Sequence, residues 1–139
     1  MSSISFIGFD FGLKQIGVAF GQSITKTAKP LGVIRVKSGV VDWDRVSSLN
    51  SEWQPDAFIV GLSLNMDGSE QKFHPQLVHF KKELSKRYGK DVHWCDERLS
   101  TVSARSELFE QGGRKALKKD LVDAKSAQII LEQWLFENS

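Results

Sequence analysis

What this chain of 139 residues has little of sets the first limits on it. A single cysteine, Cys95, leaves no partner for an intramolecular disulfide and fits a reducing compartment. The three histidines, His74, His79 and His93, show no metal-ligand spacing, so a zinc centre lacks donors. No apolar run approaches the roughly 20 residues needed to span a bilayer; the longest, Ala57–Leu64, falls far short. The N-terminus has no basic region, and Asp10 interrupts its apolar run, so no signal peptide is expected. Repeats, low-complexity tracts and linkers are missing too. These absences lead us to expect one soluble, cytoplasmic domain over residues 1–139. A chain of this length buries about two-thirds of its unfolded surface and needs no staples.

Charge of one sign is also scarce overall, at a net +2, but it is unevenly spread. Residues 1–40 carry Lys14, Lys26, Lys29, Arg35 and Lys37 against Asp10 alone, while Arg114, Lys115, Lys118 and Lys119 follow Gly112-Gly113. Basic loops around an acidic centre suit a polyanion, and equally a solvated face.

The elements are organised around the segment from Ile7 to Gly21. Its spacing predicts two strands, Ser5–Asp10 and Ile16–Gly21, the first apolar on both faces and therefore central in a sheet. Gly8, Gly12, Gly17 and Gly21 clear room for a close approach, by backbone or by phosphate. After a polar loop, Gln22–Lys29, comes a third strand at Leu31–Val36, which gives an antiparallel meander. Trp43, Val46, Leu49 and Trp53 share one side of a helix with Asp42 as N-cap and Pro55 as stop. A buried strand at Ala57–Leu62 precedes a helix striped by Phe73, Leu77, Phe80, Leu84 and Tyr88. A fifth strand is expected at Val92–Cys95, a third helix from Ser100 or Thr101 to Gly112, and a fourth over about Leu121–Phe136. Helical crossovers imply that strands one, four and five are parallel, so that their carboxyl ends share one edge, where ligands of open α/β sheets bind.

That edge would collect carboxylates. Asp10 ends one buried strand, Glu97 follows another, and Asp123 heads the helical stripe of Ala127, Ile130, Leu131 and Trp134. Each has a simpler reading. Asp10 can cap its own turn, and Asp120 or Asp123 can be a helix N-cap. Gathered together, such groups repel unless a cation intervenes, and oxygen donors without His or Cys suit Mg²⁺ or Mn²⁺. A pair of these ions clamps a phosphodiester between attacking and leaving oxygens.

The strings Phe9-Asp10-Phe11-Gly12, Gly61-Leu-Ser-Leu-Asn-Met-Asp-Gly68, Asp96-Glu-Arg-Leu-Ser-Thr101, Phe109-Glu-Gln-Gly-Gly113 and Val122-Asp-Ala-Lys-Ser-Ala127 resemble the YqgF/RuvX family. These are bacterial Holliday junction resolvases, also implicated in maturing the 5′ end of pre-16S rRNA. The resemblance runs essentially end to end. It implies an α/β, RNase H-like fold with a mixed five-stranded sheet of order 3-2-1-4-5, strand 2 antiparallel, flanked by helices. It also implies a nuclease, a phosphodiester hydrolase whose Mg²⁺ or Mn²⁺ is held by Asp10, Glu97 and Asp123, with Asp67 and Arg98–Thr101 at the rim. Asp96 and Glu97 are adjacent on extended chain, so only one faces the metal; Glu97 is the choice. Lys14, Arg98, Ser100, Thr101, Arg114 and Lys115 are the expected nucleic-acid contacts. The expected partners are structured RNA or branched DNA and ribosomal precursor particles, with no membrane, for a monomer or weak homodimer.

Two other functions fit parts of the pattern. A non-catalytic RNA- or ribosome-binding module needs the basic flanks but not the carboxylates. An actin-like ATPase shares the opening Asp-x-Gly, but needs a second lobe and a second glycine-rich phosphate loop, and the sequence supplies neither.

Overall fold

Residues 4–12, 14–62, 74–96 and 119–138 are described by the computed structural model of the chain. β1 (Ser5–Asp10) and β2 (Gln15–Gln22) pair antiparallel from Ser5 opposite Gln22 to Asp10 opposite Gly17. β3 (Thr27–Lys37) continues the meander, and the two-residue β4 (Val40–Val41) pairs with its far end. There follow α1 (Trp43–Trp53), β5 (Ala57–Leu62), α2 (His74–Tyr88), β6 (Asp91–Asp96) and α3 (Lys119–Glu137). The sheet order is β4-β3-β2-β1-β5-β6, with β1, β5 and β6 parallel. The expected 3-2-1-4-5 order is present, and β4 adds a sixth strand at one edge.

Differences of more than one residue from the sequence-based expectation fall at β3, β4 and α3. The expected polar loop shortens to residues 23–26, since β3 begins at Thr27. Pro30 is tolerated there because it lies beside a register shift between Val18 and Ala19, on the stretch that β4 does not reach. β4, too short for any periodicity, was not expected. α3 starts two residues before Leu121, which puts Asp123 inside the helix instead of at its cap. The expected helix from Ser100 to Gly112, Phe73 and the loop around Asp67 fall outside the described residues.

Side-chain alternation divides the core in two. On one face Ile7, Phe9, Ile16, Val18, Phe58 and Val60 pack with Val46 and Leu49 of α1 and Leu77, Phe80 and Leu84 of α2. Phe80 meets Phe9 edge-on at 5.3 Å between ring centres. α1 is held at its start by the Asp42 carboxylate, which accepts from the Arg45 amide at 3.2 Å. It ends at Gln54, left-handed at φ 45°, before Pro55.

On the opposite face α3 lies across β2 and β1, burying Ala127, Ile130, Leu131 and Leu135 against Phe6, Ala19, Ala57, Ile59 and Cys95. Small strand residues allow this. A methyl on Gly8 would come within 3.0 Å of Leu131, and one on Gly21 equally close to that side chain. At β3, the Ala28 N–H donates to Glu132 and its carbonyl accepts from Gln128, so α3 satisfies backbone groups at the sheet's margin. Among the described residues, no helix is long and apolar enough to cross a membrane.

Candidate active site

The site begins with a parity argument. Gly17 faces α3: a methyl there would lie 1.9 Å from the carbonyl oxygen of Asp123. Asp10 is its directly opposite partner on β1, and residues opposed across an antiparallel pair project from the same face. Asp10, half-buried at the carboxyl end of β1, therefore projects on the side of the sheet that Asp123 occupies. The backbones of β1, β2 and α3 meet at this point. Hence Gly17 makes room for a helix and not, as the sequence left open, for a phosphate.

Asp123 is buried, with 8% of its surface exposed, and its Oδ2 accepts a 2.8 Å bond from Nε2 of Gln15. Gln15, itself 5% exposed, shares the α3 face with Gly17. Its Oε1 accepts from the guanidinium of Arg35, which also pairs with Asp120 at 2.9 Å. Lys14 sits exposed in the turn beyond Asp10, and its carbonyl accepts the Val36 N–H at 2.9 Å.

Of the expected site residues, the structure thus brings Asp10 and Asp123 to one face, with Lys14 nearby in the chain. Glu97, Arg98, Ser100, Thr101, Arg114 and Lys115 lie outside the described residues. Gln15 and Arg35 were missed as site residues; the available signal was a polar side chain opening an otherwise apolar strand. Among the described residues, no three His, Cys, Asp or Glu side chains come together as a metal-binding group. The two carboxylates supply only hard oxygen donors on that face, a set that fits Mg²⁺ or Mn²⁺ and not zinc. Across the sheet, a cavity of about 420 Å³ is lined by Phe11, Trp43, His79 and Phe80, away from both carboxylates.

The sequence model of RuvX, described as Holliday junction resolvase, matches residues 4–137. The chain belongs to the RuvX family. Among relatives, a protein of Aeromonas salmonicida named "Putative pre-16S rRNA nuclease" is 53% identical over 137 residues, covering 99% of this chain and 98% of that one. A protein of Escherichia coli with the same name is 55% identical over 128 residues, covering 92% and 93%. Solved structures give the RNase H-like fold of RuvX independently. Thermus thermophilus RuvC in complex with a Holliday junction substrate superimposes with a TM-score of 0.58 at 16% identity, covering 96% of this chain and 94% of that one. The Fowlpox virus resolvase bound to Holliday junction DNA gives 0.57 at 11%, covering 96% and 98%.

Proposed function

We propose that this RuvX-family chain is a divalent-metal-dependent nuclease that hydrolyses phosphodiester bonds in structured nucleic acid, with the 5′ end of pre-16S rRNA as its substrate. The observation that carries the reading is the pairing of Asp10 with Gly17 directly beneath Asp123, which gathers two distant carboxylates on one face. Glu97 completes the set. It enters on the resemblance of Asp96-Glu-Arg-Leu-Ser-Thr101 to the family's motif and lies outside the described residues.

In this reading Asp10, Glu97 and Asp123 hold Mg²⁺ or Mn²⁺. When bound, the ions polarise the scissile phosphate and lower the pKa of the attacking water. The protein's share is to fix the carboxylates on rigid strand and helix and to place Lys14, Arg98, Ser100, Thr101, Arg114 and Lys115 along the phosphates. The names of the relatives support rRNA as substrate, which assigns the work to the cytoplasm alongside ribosomal precursor particles. The structural neighbours favour a second substrate, branched DNA cut as a junction.

Both substrates enter one experiment: pre-16S rRNA and a four-way DNA junction, each incubated with Mg²⁺ and either wild-type protein or Asp10→Asn. Cleavage of the rRNA should fall by at least about 100-fold in the variant, some 2.7 kcal/mol of barrier. Equal cleavage by the two proteins refutes the catalytic reading and leaves a binding module. Preferential cleavage of the junction moves the substrate to branched DNA.

A further inference from the structure

We infer that Gln15 and Arg35 are positioning residues, which orient the Asp123 carboxylate for the divalent ion through a relay running from Asp120 to Arg35 to Gln15 to Asp123. The inference rests on the metal-site reading above and extends it to two residues outside the carboxylate set.

The direction of each bond follows from the inventory of donors. A guanidinium only donates, so the Gln15 oxygen that meets Arg35 must be its carbonyl. That contact fixes which way the amide lies, and the nitrogen is left to donate to Asp123 Oδ2 at 2.8 Å. Arg35 cannot turn away easily, because its two terminal nitrogens reach both oxygens of Asp120, at 3.3 and 2.9 Å. Asp120 and Asp123 stand three residues apart on α3, so the relay closes a loop between one helix and two strands. Its inner bond is sheltered, with both Gln15 and Asp123 more than nine-tenths buried. Its outer pair is open to solvent, with Arg35 and Asp120 side chains 56% and 51% exposed. An exposed pair of this kind contributes little to stability. Its effect is to anchor the carbonyl end of the Gln15 amide, so that the amide is held at both ends and not by Asp123 alone.

Hydrogen bonds that orient a metal-ligating carboxylate typically change metal affinity 10- to 100-fold. The test measures Mn²⁺ binding by electron paramagnetic resonance, without nucleic acid, for wild type, Asp123→Asn, Gln15→Leu and Arg35→Met. Thermal midpoints are recorded alongside. Gln15→Leu should weaken Mn²⁺ binding by at least about 10-fold. Arg35→Met, whose altered side chain is on the surface, should weaken it by a few-fold at an unchanged midpoint, and it carries the test if Gln15→Leu does not fold. Wild-type affinity in Arg35→Met, and in Gln15→Leu where it folds, with Asp123→Asn impaired, overturns the relay and leaves the carboxylate site standing. Unimpaired binding by Asp123→Asn overturns the site itself, and the relay with it.

Discussion

At Gly17 one hydrogen atom in place of a side chain decides where a helix can lie. A methyl at this position would sit 1.9 Å from the Asp123 carbonyl oxygen and 2.4 Å from its carbon, both backbone atoms that no rotamer change can move. Gly17→Ala should therefore cost about 3 kcal/mol or more, by forcing α3 off the sheet. Gly39 is the contrast. Its φ of 78° is left-handed, but a methyl there meets nothing within 4 Å, so Gly39→Ala should cost only about 1 kcal/mol of backbone strain. Urea denaturation of the two variants checks the pair, and equal losses would show that close approach at Gly17 is not what limits the packing. The glycines announced in the sequence that something comes close, but not what. A phosphate and a helix need the same clearance, and only the fold distinguishes them.

At the scale of elements, α3 is held by an apolar stripe whose centre is Leu131, fully buried and seated over Gly8 and Gly21. Leu131→Ala should destabilise the protein by about 2–5 kcal/mol, since strand backbones beneath it cannot collapse into the gap. Asp42→Ala should cost about 1 kcal/mol, the usual loss for an N-cap. A reversed order of the two in thermal denaturation would put the weight of the fold on α1 instead. Both predictions use features legible in the sequence: the stripe Ala127, Ile130, Leu131, and an Asp preceding an amphipathic run. β1 was legible for the same reason, since continuous apolarity up to Asp10 fits only a strand covered on both sides. β3 was not. Thr27-Ala28-Lys29 and then Pro30 read as a loop, because their partners on β2 and the shift beside Ala19 are tertiary facts. Asp123 shows the same limit. Its place on the buried stripe was readable, whereas the Gln15 amide that bonds it comes from a strand more than a hundred residues away.

At the scale of the molecule, Asp10, Asp123 and Lys14 are the expected site residues among the described ones, and in the proposed reading the carboxylates carry the chemistry and the lysine the binding. Asp10 closes β1, while Lys14 stands exposed in the turn to β2. A nucleic acid held along its phosphates releases counterions, so its affinity falls with salt by a log–log slope of about 0.7–0.9 per phosphate neutralised. Lys14→Ala should reduce that slope by about one contact's worth and weaken binding similarly for every sequence of RNA tested. Asp10→Asn removes a negative charge from the same end, so it should bind RNA at least as tightly as wild type in metal-free buffer. Filter binding between 50 and 200 mM salt measures both. An unaltered slope in Lys14→Ala would put the phosphate track elsewhere on the chain. Weaker metal-free binding by Asp10→Asn would mean that this carboxylate contacts the nucleic acid directly, because the loss of repulsion alone can only strengthen the complex.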